Sequence, residues 1–252
     1  MVKKNLSKRA LQIGPTLPGP ALSRPPNSLV LQTGQFLQFD DAQLLVVVFL
    51  HGLGSDGNDM KQLLTTVLLK KPDLHDQTVV LCPNAGLRPI SWVNGQAMTA
   101  WGDIFTLGPE GKDDWEGFEE SRKMVEGLID QTLKENPTIS NIVIGGFSQG
   151  GALSYHIALQ STRKLAGLIV MSGWVPARMT PLGANVTDIA RSTKILHCHG
   201  KTDFVVRWSP LNGQMLDQMG VKNYDIKLYE NCAHEVCTEE IADIMQFLTA
   251  NL

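Results

Sequence analysis

The chain has 252 residues and a mass of 27.6 kDa, which suits one large domain, because a single hydrophobic core stops growing near about 250–300 residues. Hydrophobic residues make up 43% and charged residues 19%, a globular balance that excludes intrinsic disorder, coiled coil and collagen. The net charge is −3, but Lys3, Lys4, Lys8, Arg9 and Arg24 all fall in an acid-free leader, and without those five cations the remainder carries −8. So acidic a body repels a phosphate backbone and excludes nucleic acid as a main partner.

Residues 1–28 read as a basic, Pro-rich extension ahead of a single domain over residues 29–252. The extension lacks the apolar stretch of a secretory signal, and Pro15, Pro18, Pro20, Pro25 and Pro26 suit no helical transit peptide. It reads as a solvated tail, with peripheral contact to an anionic membrane surface as the alternative. The longest apolar run, 44–50, is strand-sized and far below the roughly 18 residues of a membrane span. Cys82, Cys198, Cys232 and Cys237 form no dense disulfide framework, so a cytoplasmic protein with reduced thiols is expected.

From there the chain alternates between two kinds of segment. Apolar, β-branched runs predict strands at 29–33, 44–50, 78–82, 141–145, 167–171, 194–198 and 224–229; several are apolar on both faces, as central parallel strands must be. Helices are predicted at 60–70, 116–136, 149–162, 209–219 and 239–248. The rhythm is that of an α/β fold with a mostly parallel central sheet flanked by helices. Residues 83–111 show no clear period and read as a long functional loop.

The sharpest motif is Gly146-Phe147-Ser148-Gln149-Gly150, between a strand run and a helix run. A G-x-S-x-G elbow holds its serine on a strained strand-to-helix turn, and the flanking glycines let strand and helix approach without a Cβ clash. Ser148 is therefore the candidate nucleophile. A serine hydroxyl needs a base and a group that orients the base, expected in the order acid then histidine on loops after later strands. Asp203, in His199-Gly200-Lys201-Thr202-Asp203, and His234, in Asn231-Cys232-Ala233-His234, fit that order. The competitors fit less well: Asp188 precedes a strand, Asp217 lies inside a helix, and His197 and His199 share the strand that carries the acid. His156 lies in the helix after the serine and His75 precedes a strand.

An oxyanion hole needs the amide after the nucleophile and one from the loop after an early strand. These are assigned to the backbone N–H groups of Gln149 and Leu53, the latter in His51-Gly52-Leu53-Gly54-Ser55. As main-chain donors they predict that side-chain substitutions there are milder than loss of Ser148. The same loop reads G-x-G-x-x-G from Gly52 to Gly57, but the second strand ends in Cys82-Pro83-Asn84 without the acid that a dinucleotide ribose requires. Cys232, His234 and Cys237 are close in sequence, with His197, Cys198 and His199 as possible supplements. Consecutive strand residues face opposite ways, so His197 and His199 cannot both converge with Cys198, and the paired spacings of structural zinc sites are absent, so no metal is expected.

The segments Phe49-Leu50-His51-Gly52-Leu53-Gly54-Ser55, Gly145 to Ser154, His199 to Asp203 and Ala233-His234 together resemble the acyl-protein thioesterases of the phospholipase/carboxylesterase family of α/β-hydrolases, from about residue 40 to the C-terminus. The resemblance implies a cofactor-free serine hydrolase acting on thioesters of S-acylated proteins, with lysophospholipids and other carboxylic esters as further substrates. It also implies an acyl channel drawing on Trp92, Met98, Trp101, Trp174 and Val205. Three positions depart from the family pattern: Gly102 where a bulky aromatic is usual, which would loosen the channel wall; Phe204 for proline; and Glu235 for a small residue, which would add negative potential near His234. Some relatives dock on membranes through an acylated N-terminal cysteine, whereas the first cysteine here is Cys82. An esterase with little thioesterase role and a noncatalytic binding protein of the same fold are the rival readings.

Overall fold

The computed structural model describes residues 44–105, 112–176 and 186–250, together with the backbone of 28–30 and 36–38. Strands β1 (Ser28–Val30) and β2 (Phe36–Gln38) pair antiparallel; the rest of the strand expected at 29–33 lies outside the described residues.

Six strands build the central sheet: β3 (Leu44–Leu50), β4 (Thr78–Leu81), β7 (Ile139–Phe147), β8 (Gly167–Met171), β9 (Ile195–Gly200) and β10 (Tyr224–Tyr229). Their order is β10-β9-β8-β7-β3-β4, and every neighbouring pair is parallel. Strand β3 is buried along its whole length because both faces are covered. Leu44, Val46, Val48 and Leu50 join one core cluster, while Leu45, Val47 and Phe49 join the other, as the two-residue side-chain period of a strand requires.

The first cluster takes in α3 (Trp115–Glu135) and α4 (Gln149–Gln160), the second α1 (Gly57–Leu68) and the last helix. Between these, α2 (Pro72–Asp76) precedes β4, α5 (Asp188–Arg191) precedes β9, α6 (Leu211–Gln218) precedes β10, and α7 (Thr238–Thr249) closes the chain. Helix α4 is buried almost throughout, packed under the sheet and against α3, so it shows no polar outer face and its Ser154 and His156 are buried, each with a hydrogen bond made inside the protein. Asp56 caps α1 by accepting from the amides of Asn58 and Asp59 at 2.8 and 3.2 Å.

One expectation needs correction. The stretch 83–111 is no plain loop: β5 (Leu87–Ile90) and β6 (Gln96–Thr99) pair antiparallel across a 3-10 turn at Ser91–Val93, whereas residues 106–111 lie outside the described residues. Pro89 sits in a two-stranded ribbon, where a missing N–H is tolerated, and Asn94-Gly95, both at positive φ (56° and 80°), turn the chain. His75 and Asp188 lie in the short helices α2 and α5, each preceding a strand as expected. Neither approaches the carboxyl end of the sheet, which leaves their rejection as site residues intact.

Candidate active site

Strand β7 ends at Phe147 and α4 begins at Gln149, leaving Ser148 alone to reverse the chain. Its φ of 55° and ψ of −121° lie where a non-glycine residue is strained, a conformation that persists only if its surroundings enforce it. The enforcement is visible. Ser148 N–H donates to Met171 O at 2.8 Å, and a Cβ at Gly150 would fall 2.2 Å from Leu50 O, so helix and strand meet at a distance open only to glycine.

The three side chains expected to converge do so. His234 Nε2 lies 3.0 Å from Ser148 Oγ, and His234 Nδ1 lies 2.7 Å from Asp203 Oδ2. Asp203 is buried; its Oδ1 accepts from the amides of Val205 and Val206, each at 2.9 Å. Burial opposes ionisation of this carboxyl, but the hydrogen bond and charge of His234 and the Val206 amide outweigh it and hold Asp203 below the usual carboxylate range. The ring of Phe147 packs 4.8 Å from that of His234, restricting the imidazole from its other side.

The acid and histidine loops are stitched together through one carbonyl. Cys232 O accepts from Thr202 N at 3.1 Å and Thr202 Oγ1 at 2.8 Å, and a Cβ at Gly200 would come within 2.1 Å of it. Of the competitors, His199 donates through Nε2 to Val206 O at 2.7 Å and lies 3.5 Å from Asp203 Oδ2, which makes it a buttress of the acid loop. His197 lies deeper, 3.0 Å from the Tyr155 hydroxyl.

The loop after β3 is held by partners that the sequence did not single out. The buried His51 ring accepts from Ala85 N at 3.0 Å through Nε2, so its proton sits on Nδ1 and is donated to Gly52 O at 2.7 Å. Burial, offset in part by Gly52 O, pushes the His51 pKa down and keeps that tautomer neutral. Trp101 Nε1 donates to His51 O at 2.7 Å, and Gly54 N–H donates to Thr99 O at 2.8 Å. Leu53, between these anchors, is thereby fixed. Gln149 occupies the first position of α4, where an amide has no intrahelical acceptor and points out of the helix start.

The expected channel residues divide. Trp92 and Val205 are 49% and 46% exposed, and Met98 packs partly buried beside Leu53 and Ile90. Trp174 is buried and donates through Nε1 to Asp113 at 3.0 Å. Burial raises the Asp113 carboxyl to about 6, with the Trp174 bond working the other way. Trp101 is fully buried against His51, which makes it a support behind the His51–Ser55 loop rather than an exposed channel surface. Gly102 does not loosen a wall either, since Phe118 fills the space beside it and would lie 2.9 Å from an added Cβ. Phe204 is 80% exposed, with Glu235 also at the surface.

A profile of the family described as Phospholipase/Carboxylesterase matches residues 38–252. The acyl-protein thioesterase 1 of Candida albicans is 35% identical over 208 residues, covering 80% of this chain and 90% of that protein. Among solved structures, Arabidopsis thaliana SOBER1 superposes with a TM-score of 0.74 at 29% identity, covering 83% of this chain and 99% of that one. The Zea mays acyl-protein thioesterase 2 superposes with a TM-score of 0.71 at 30% identity, covering 83% and 94%. With the parallel sheet and strand-to-helix elbow described above, these matches make the chain an α/β-hydrolase that belongs to the phospholipase/carboxylesterase family.

Proposed function

We propose that the chain is a thioesterase that removes fatty-acyl groups from S-acylated proteins, with Ser148 as nucleophile, His234 as general base and acid, and Asp203 as its orienting partner. The observation that carries the reading is the unbroken Ser148–His234–Asp203 relay, with contacts of 3.0 and 2.7 Å, in a chain whose similar relatives bear the acyl-protein thioesterase name.

Ser148 Oγ attacks the acyl carbonyl carbon as His234 Nε2 takes its proton; the carbonyl electron pair moves onto oxygen. Donation from Nδ1 to Asp203 keeps Nε2 free to accept and stabilises the imidazolium. The amides of Gln149 and Leu53 hold the oxyanion, with each such donor contributing on the order of 10²–10³ in rate. Collapse breaks the C–S bond, the departing sulfur leaves with the His234 proton, and water repeats the cycle on the ester of Ser148. Every proton in this sequence is carried by His234, so the reaction needs no metal or cofactor.

A second reading, hydrolysis of small esters or lysophospholipids, is supported by the family description and by a relay indifferent to the leaving atom. The substrates imply transient contact with a membrane surface in a cytoplasmic setting, and the exposed Trp92, Phe204 and Val205 suit such contact. The test is release of palmitate from a palmitoyl-thioester peptide, run beside a lysophospholipid and a short-chain ester. Wild type is expected to favour the thioester and Ser148→Ala to be inert; activity retained by Ser148→Ala refutes the assignment. Failure of a fluorophosphonate to label Ser148 favours a noncatalytic binding role instead.

A further inference from the structure

We propose that Cys232, Cys237 and Glu240 form a binding site for a thiophilic divalent cation of the Zn²⁺ type, which clamps the His234 loop to the first turn of α7. The two Sγ atoms and a carboxylate oxygen of Glu240 lie within 4.8 Å of one another. Tetrahedral Zn²⁺, with bonds of about 2.3 Å to sulfur and about 2.0–2.2 Å to oxygen, holds such atoms roughly 3.5–3.8 Å apart, so closure needs a contraction of at most about 1.3 Å.

Glu240 supplies the independent observation. Its side chain is only 1% exposed, yet Oε1 has no hydrogen-bond partner, while Oε2 accepts from Cys237 N at 3.4 Å. A buried carboxylate oxygen without a donor is costly, and a cation held by this carboxylate and the two sulfurs removes that cost. The donor set of two thiols and one carboxylate selects Zn²⁺ over Mg²⁺ or Ca²⁺, which prefer oxygen alone. Cys237 is partly exposed, which gives an entry path and leaves a fourth position for water.

The backbone presents these groups without help from the triad. Cys237 and Glu240 are three residues apart at the start of α7 and so share one face. Cys232 Sγ donates to Glu235 O at 3.3 Å, and its carbonyl is bound to Thr202, so one ligand belongs to the stitched acid and histidine loops. His234 is not a ligand: both ring nitrogens are committed to Asp203 and Ser148. The trio adjacent in sequence therefore gives way to one completed by a helix residue.

The test uses the full chain, reduced and stripped with a chelator, titrated with Zn²⁺ against a chromophoric chelator and with Co²⁺ read by its sulfur-to-metal charge-transfer absorption. One ion per chain is expected, with Cys237→Ser abolishing the absorption and Glu240→Gln weakening binding at least 10-fold. Zn²⁺ should raise the unfolding temperature of wild type but not of Cys237→Ser, a partly exposed position whose variant should keep the wild-type circular-dichroism spectrum. Substoichiometric binding, or equal binding by wild type and both variants, overturns the site. So does a Cys232–Cys237 disulfide in the untreated protein with no metal uptake after reduction, which assigns the thiol pair to redox chemistry instead.

Discussion

The side-chain amide of Gln149 clamps the backbone at Trp101 from both ends: Trp101 N–H donates to Oε1 at 3.0 Å, and Nε2 donates to Gly102 O at 2.7 Å. The residue whose backbone amide opens α4 thus also anchors the segment whose indole holds His51 and the loop that carries Leu53. Its side chain has more to do than a main-chain role predicts.

Gln149→Ala should therefore lower both stability and turnover. It leaves two buried backbone groups unpaired, each with a penalty of about 1–3 kcal/mol, so denaturant unfolding should show a loss of about 2–6 kcal/mol. Turnover should fall less than in Ser148→Ala. A Gln149→Ala variant of wild-type stability would show that the clamp is idle.

Asp203→Asn tests the orienting role. Asn can keep the amide bonds from Val205 and Val206, but it places an NH₂ group against His234 Nδ1 and favours the tautomer that cannot take the Ser148 proton. A fall in kcat of about 10⁴-fold is expected with little change in unfolding temperature. A drop under about tenfold would remove Asp203 from the triad.

Phe204 and Val205 separate surface recognition from chemistry. Both are exposed, so Phe204→Ser and Val205→Ser should change stability by less than about 0.5 kcal/mol. Under the acyl-substrate reading they should raise KM for long-chain substrates while leaving the kcat for a short ester unchanged. Equal effects on both chain lengths would point to a shifted Asp203 loop instead.

Acid sensitivity should trace to His197. Burial, with the neighbouring His199 adding repulsion, pushes its pKa down to about 3, whereas the unfolded chain protonates it near 6.5. The unfolded state therefore binds the extra proton first, so the stability contribution is intact above about pH 6.5 and is lost as pH falls toward 3. His197→Gln should flatten the decline of stability between pH 6.5 and 4 by about 1–3 kcal/mol, read by urea denaturation across pH. An unchanged slope would place the acid-labile group elsewhere.

Much of the site was legible because its signals are local. The elbow needs two glycines around Ser148 at fixed offsets, and the acid and histidine must follow strands whose apolar runs are visible as runs. What escaped was set by contacts distant in sequence. The hairpin of β5 and β6 hid because Leu87–Ile90 has no apolar alternation, although Asn94-Gly95 was a turn signal in plain sight. Trp101 was assigned to a channel wall by the family resemblance alone; only the packing of His51 and Phe118 around that segment turned it inward.

The order of strands and helices, the serine elbow and the chain order of Ser148, Asp203 and His234 on their loops were determined by the amino-acid sequence alone, since periodicity and tight turns depend on neighbours a few residues away. The tertiary structure alone decided that Trp101 supports rather than lines the site, that Gly102 makes room for Phe118, and that Glu240 turns a carboxylate toward two thiols. Burial and convergence depend on which distant segments occupy the same space, and no local pattern carries that information.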